Sequence, residues 1–283
     1  DLARATTPDR SDPTTPGEPP PPGPGVLPLT GLALGIDVGG TGVKAALVDL
    51  ATAELASARV REKTPQPATP EAVAETVARV VAKVLEGRDD IPADLPVGCG
   101  LPGVVKQGAL MTAANIHPSW VGWPAEERLG AAIGRRVRIL NDADAAGLAE
   151  LAYGAAAGRP GVTILLTIGT GIGSAVFLDG RLVPNTEYGH LDLHNRDAET
   201  LVSGAARERR KLGWKRWARE FNTYLALLER TMWPDCFIFG GGVSKEWPKW
   251  GKYAKTRAPI VPWSSWPGRD DRHGSTTWHR RST

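Results

Sequence analysis

The chain has 283 residues, 41% of them apolar, a formal charge of +3 and two cysteines. That is enough apolar material for two domains of ordinary size, and too small a charge for a dedicated nucleic-acid binder, although a local basic strip could still meet a polyanion. Cys99 and Cys236 are too few and too separated for a disulfide framework and read as free thiols of a reducing compartment; no apolar run reaches membrane-spanning length and no charged start leads into an apolar signal core, so no membrane partner and a cytoplasmic setting are expected.

Residues 1–30 are Pro, Thr, Asp and Arg with hardly any large apolar side chain, and are expected to be a disordered extension rather than a docking segment. The chain opens without Met, which suggests a fragment. Residues 32–38, 43–49 and 55–61 then read as three strands of an antiparallel meander. The first two enclose the stretch L-G-I-D-V-G-G-T-G-V-K, 34–44. Asp37 ends the strand, and Gly39 and Gly40 form a turn without β-carbons where backbone N–H groups close on an anion, with the hydroxyl of Thr41 and the charge of Lys44 beside them. A phosphate fits there, and Asp37 next to it suits Mg²⁺ held through water. An ordinary glycine-rich hairpin would read the same.

A helix follows with Thr69 as N-cap, Pro70 at the first helical position, Val73, Val77, Val80, Val81 and Val84 on one face, and Gly87 as its stop. Residues 95–101 form the next strand. The polar and aromatic segment 111–123 reads as a loop. In it Asn115, donor and acceptor at once, is placed on a ligand hydroxyl; His117 reads as a surface turn residue, and Trp120 and Trp123 as seals of the loop onto the core. The strand 137–140 delivers Asn141 and Asp142 to its mouth, before a helix from 143 to 153 closed by Gly154. A carboxylate there, beside an amide that fixes a hydroxyl, is what a general base for phosphoryl transfer needs. Asp144 reads as a first-turn residue facing the helix dipole, and Glu150 as solvated or cap-related.

Residues 162–168 are a continuous apolar strand ending in G-T-G-I-G, 169–173, with a strand 174–178 behind it. Thr167, Gly169, Thr170 and Gly171 are therefore placed on phosphate. Two well-separated copies of strand, glycine turn, strand suggest two similar halves across a cleft: an α/β chain of the two-domain actin-like (hexokinase-like, ribonuclease H-like) ATPase fold. Asp179 and Gly180 make a hairpin. In 185–199, His190, Asp192 and His194 alternate and could reach one zinc from a strand face; the preferred reading puts Glu187, His190 and Glu199 around vicinal sugar hydroxyls. The helical stretch 205–233 begins with Arg207, Arg209, Arg210, Lys211, Lys215, Arg216 and Arg219, broken near Gly213. It is either a solvated face or a strip that tracks a long phosphate chain. The strand 235–239 ends in Gly240, Gly241 and Gly242, again a close approach of backbone to the phosphate donor.

Taken in order, D-V-G-G-T-G-V-K, L-P-G-V, N-D-A-D-A-A-G-L-A-E, I-G-T-G-I-G, E-Y-G-H, D-A-E-T and F-G-G-G-V-S resemble the bacterial ROK (repressor, open reading frame, kinase) family over residues 32–262, and within it the polyphosphate-using sugar kinases. The resemblance implies transfer of a terminal phosphate from polyphosphate, and often from ATP, to the 6-hydroxyl of glucose with Mg²⁺. It implies Asp142 as base, Asn115, Asn141, Glu187, His190 and Glu199 on glucose, the glycine turns on phosphate, and a homodimer. Many ROK kinases carry a cysteine-rich zinc motif between the equivalents of His190 and Glu199; residues 191–198 hold no cysteine, so no structural zinc is expected. Domains are expected at 31–140 and 141–262. The tail 263–283 has no Ala, Val, Leu or Ile where relatives have a closing helix, which looks like out-of-frame translation. The alternatives are an ATP-dependent kinase for mannose or an N-acetylated amino sugar, a ROK-type repressor or other non-catalytic sugar-binding protein, which as a repressor needs a DNA-reading domain ahead of Leu32, and a filament-forming actin-like ATPase.

Overall fold

The computed structural model describes residues 29–113 and 116–263. The expectations for the Pro-rich start and the tail, and the assignment of Asn115, fall outside these residues. β1 (Leu32–Gly39) pairs antiparallel with β2 (Gly42–Asp49), and β2 with β3 (Val60–Glu62). Leu34, Ile36 and Val38 alternate into the core. The third strand is shorter than 55–61. Leu55 makes only an isolated bridge to Val48, because the N–H of Leu47 donates to Ser57 Oγ at 2.9 Å instead of to a carbonyl across the sheet.

α1 (Pro70–Leu85) starts as expected: the Thr69 hydroxyl accepts the Ala72 N–H at 3.4 Å and Pro70 fills the first turn. Its five valines, 73, 77, 80, 81 and 84, are buried against the sheet, each contributing roughly 1.5–3 kcal/mol. β4 (Val97–Leu101) adds parallel to β1. A small hairpin that the pattern did not reveal follows, β5 (Val105–Lys106) and β6 (Ala109–Leu110), turning on Gln107 and Gly108 with φ of 50° and 76°. α2 (Ala125–Ile133) was equally hidden, since Ala125 and Leu129 are the residues it buries. β7 (Val137–Asn141) closes the sheet parallel to β4 and runs straight into α3 (Asp142–Tyr153).

The second half repeats the first. β8 (Val162–Ile168) and β9 (Ile172–Leu178) are antiparallel, and β10 (Arg181–Val183) joins β9 through the turn at Asp179 and Gly180. α4 (Ala198–Val202), α5 (Gly204–Arg209) and α6 (Trp214–Met232) follow, with the helical path broken before Gly213 as expected. β11 (Cys236–Gly240) and β12 (Ile260–Pro262) add parallel to β8. The two five-stranded orders, β3-β2-β1-β4-β7 and β10-β9-β8-β11-β12, are the same arrangement twice. This is the duplicated topology of the two-domain actin-like fold.

Each sheet has its own core. The first is aliphatic, built from α1 and α2 on β1, β2, β4 and β7; the second is aromatic, with Trp217 stacked on Phe221 at 4.8 Å and both edged by Trp250. α3 runs between the sheets. It presses on β9 at Gly147, where a β-carbon would stand 2.6 Å from that of Ala175, and its last residue, Tyr153, donates to the Leu50 carbonyl at 2.7 Å. Both cysteines are buried and free, as read from the sequence. No helix among the described residues is long and apolar enough to cross a membrane.

Candidate functional site

The first glycine turn sits between Gly39 and Gly42, which face each other across the hairpin. Two residues behind it Asp37 and Lys44 are direct partners, and Lys44 Nζ meets Asp37 Oδ2 at 2.5 Å. The turn is propped from outside. Thr64 Oγ1 donates to the Gly39 carbonyl at 2.5 Å and Arg61 Nη2 to the Thr41 carbonyl at 3.2 Å. Arg61, which sequence reasoning missed, puts a second cation beside Lys44 at the turn. Its place on β3 opposite Lys44 follows from strand register, the one signal that could have found it.

At the mouth of β7, Asn141 caps α3: its Oδ1 accepts the N–H groups of Ala143 and Asp144 at 2.8 and 3.1 Å. Its Nδ2 reaches the Gly103 carbonyl at 3.2 Å and Glu187 Oε1 at 3.3 Å, so the buried amide already aims a second candidate ligand. Asp142 is the first residue of α3. Asp142 is open to solvent, yet surrounding protein desolvates its carboxylate, which pushes its pKa up; Asp37 and Asp144 push the same way, against the N–H of Ala143.

Glu187 is raised likewise, first by burial, with the charges of Asp142, Asp144 and Glu199 adding to it and His190 opposing. His190 Nδ1 lies 3.0 Å from Asp197 Oδ2 and its Nε2 3.9 Å from Glu187 Oε2. The hydrogen bond to Asp197 raises the imidazole pKa, helped by the charges of Glu199 and Glu187 and opposed by burial. Asp197, a second residue the sequence did not single out, thus fixes the ring. Glu199 accepts the Ile172 N–H at 3.2 Å and lies against Gly171, where a β-carbon would stand 2.4 Å from Oε2. Glu199 and the second glycine turn are therefore in contact.

The zinc alternation does not survive folding. Residues 188–190 form a 3-10 turn rather than a strand, His194 takes φ 59°, and Asp192 accepts the Asn195 N–H. Among the described residues no three His, Cys, Asp or Glu side chains are grouped to hold a metal ion. Asp144 lies in the first turn of α3 as expected, but both it and Glu150 are buried, 2% and 3% exposed, so Glu150 is not the solvated residue of its first alternative. Glu150 is cap-related, accepting the Ala155 N–H at 2.7 Å just past the helix end. His117 is a half-buried turn residue that caps residues 118–120, and Trp120 is buried with its N–H on the Ala68 carbonyl at 3.0 Å, close to their expected places.

On the other side, Thr167 lies where a β-carbon at Gly173 would meet its hydroxyl at 2.5 Å and Ala143 at 2.8 Å, so this part of β8 abuts the start of α3. Gly169 and Thr170 line a cavity of about 420 Å³ with Gly204, Arg207, Trp214 and Gly242. The three glycines that end and follow β11 have different reasons for being small. A β-carbon at Gly240 would overlap the Trp263 ring, and one at Gly241, with φ 78°, would meet the Ile168 backbone at 2.6 Å. Only Gly242 faces open space, so the close approach expected from all three is to ligand-accessible volume at Gly242 and to the protein itself at the other two.

The basic stretch divides. Arg207 lies 3.9 Å over the Trp214 ring, Arg209 donates to the Thr200 carbonyl, and Arg210 pairs with Glu220. Lys215, Arg216 and Arg219 instead line a second cavity of about 580 Å³. It shares Trp214 and Lys249 with the first, so one groove runs from the Gly169 turn along the start of α6.

A model of the ROK family matches residues 33–208. A polyphosphate glucokinase of Mycobacterium tuberculosis is 46% identical over 229 residues, covering 81% of this chain and 84% of that protein. The crystal structure of an inorganic polyphosphate/ATP-glucomannokinase from Arthrobacter superposes with a TM-score of 0.78 at 46% identity, over 83% of this chain and 93% of that one. A ROK family glucokinase from Streptomyces griseus, solved with glucose and AMPPNP, shares the fold at a TM-score of 0.69 and 24% identity, over 82% and 94% of the two chains.

Proposed function

The chain belongs to the ROK family, and on that premise we propose that it phosphorylates glucose at the 6-hydroxyl, drawing the terminal phosphate from inorganic polyphosphate and also from ATP. The position of Asp142 carries the reading. A β-carbon on Gly100, the residue paired with Asp37 across the sheet, would stand 3.5 Å from Asp142 Cα, and the amide of the preceding Asn141 reaches Glu187 at 3.3 Å, so Asp142 lies between the strand that leads to the first glycine turn and a cluster suited to hydroxyls. Asn115, Asn141, Glu187, His190 and Glu199 hold the sugar. Asp142 takes the proton of the 6-hydroxyl as that oxygen meets the terminal phosphorus in line. The glycine turns at 39–41 and 169–171, with Lys44, Thr167 and Gly242, hold and orient the donor phosphates, and positioning with electrostatics supplies most of the rate.

A single half-exposed carboxylate, Asp37, suits Mg²⁺, which keeps most of its waters and is shared with the substrate's phosphates. When bound, the ion neutralises charge on the transferred group. Polyphosphate as donor is supported by the groove with Lys215, Arg216, Arg219 and Lys249 beyond the second turn. We take the domains as 31–140 and 141–262, supported by the two separate cores, and the molecule as a cytoplasmic homodimer, supported by its two free thiols and by its likeness to other sugar kinases.

A second acceptor, mannose, is favoured by the Arthrobacter relative, which is described as a glucomannokinase. The test is formation of glucose 6-phosphate by the purified chain with Mg²⁺, using polyphosphate and ATP in parallel, and mannose beside glucose. Turnover with polyphosphate and glucose is expected. A folded chain that turns over neither donor sinks the proposal.

A further inference from the structure

We propose that Asn185 is a positioning residue for the acceptor side of the cleft, tying the segment that carries Glu187 to the β5–β6 hairpin and, through Asp144, to the helix that begins with Asp142. Asn185 has a left-handed backbone, φ 60°, which Asn tolerates better than most residues. Its side chain behaves as a short strand edge. Oδ1 accepts the Val105 N–H at 2.7 Å and Nδ2 donates to the Val105 carbonyl at 2.9 Å, across 80 residues of chain. Both polar groups of one residue are thereby matched by one amide, as only Asn or Gln can do. On its other edge Val105 pairs with Leu110.

The backbone of Asn185 is held from behind. Its N–H donates to Asp144 Oδ2 at 2.8 Å, while the other oxygen of this carboxylate is buried with no partner among the described residues. A carboxylate that is 2% exposed with a single backbone donor is costly, and a capped helix on a well-packed sheet does not need it. The linkage gives it a task. Asp144 stands two residues from Asp142 and Asn185 two residues from Glu187, so the three pieces that bring base, carboxylate and loop together are joined at one point. This rests on the glucose kinase reading.

The experiment compares Asn185→Gly, which keeps the positive φ without strain and deletes the amide, with Asp144→Ala and Asp144→Asn. Asn185→Gly and Asp144→Ala are expected to raise the glucose KM about tenfold with kcat and polyphosphate KM within about twofold, and Asp144→Asn, which still accepts the Asn185 N–H, to recover most of the loss. An unchanged glucose KM in Asn185→Gly, or an equal rise for both substrates with a lower melting temperature, overturns the inference. If the parent chain makes no glucose 6-phosphate, the functional reading fails separately, and amide hydrogen exchange then decides the linkage. Val105 protected in the parent and exposed in Asn185→Gly supports it; equal exchange overturns it.

Discussion

Glu199 and Gly171 occupy one small volume: Glu199 Oε2 accepts the Ile172 N–H and rests where a β-carbon of residue 171 would be. The second glycine turn is thus shaped by the Glu199 carboxylate, proposed to hold the sugar. Gly171→Ala forces that flexible side chain away and removes its bond to the backbone. A rise of about tenfold in glucose KM, with a stability loss of about 1 kcal/mol in thermal unfolding, is expected. Normal glucose saturation in the variant would separate Glu199 from the sugar.

Asp142→Asn removes the proposed proton acceptor and keeps the size of the side chain. Turnover should fall by about 10²–10⁴ while glucose binding measured calorimetrically stays within a few-fold. Burial with the nearby Asp37 and Asp144 charges favours the protonated form, so the acid limb of the parent's kcat profile is expected above the ordinary aspartate value of about 3.9. Turnover near the parent rate would remove Asp142 from the base role.

His190 should titrate above its ordinary value of about 6.5, because it is bonded to Asp197 and faces Glu199 and Glu187. A raised folded-state pKa means that protonation and folding favour each other. Its contribution to stability is complete below about 6.5 and is lost as pH rises through the folded-state value. Asp197→Asn should lower the imidazole titration followed by NMR; an unchanged titration would dismiss the pair.

Lys215→Ala with Arg219→Ala tests the groove. Long-chain polyphosphate should bind about tenfold more weakly, and its salt dependence should flatten by about one charge per side chain removed, while glucose saturation is unaffected. Equal behaviour toward long polyphosphate would reduce these cations to a solvated face.

What could be read from the sequence was what local rules write down. The glycine turns, the Thr69 cap, the valine face of α1 and the Asn141–Asp142 pair at a strand mouth each follow from spacing along a few residues. That the chain has two similar halves followed from seeing one turn pattern twice, while the strand orders they share did not. Arg61, Asp197 and Asn185 were not legible, because their meaning lies in partners on other segments: Thr41, His190 and Val105. Asp144 shows the same limit from the other side. Position in a first helical turn suggested a dipole partner, but its burial was decided by the chain 41 residues on. The zinc alternation failed for a local reason, since a period of two means one face only in a strand, and residues 188–190 turn.

α3 is clamped at three places: at its start, where β7 runs into it, at its middle by Gly147 on Ala175 and Phe177, and at its end by Tyr153 on the Leu50 carbonyl. A rod clamped in this way has no swing of its own. The place of Asp142 is then set by contacts with both sheets, and a substitution that loosens any one clamp is expected to displace this carboxylate without touching it.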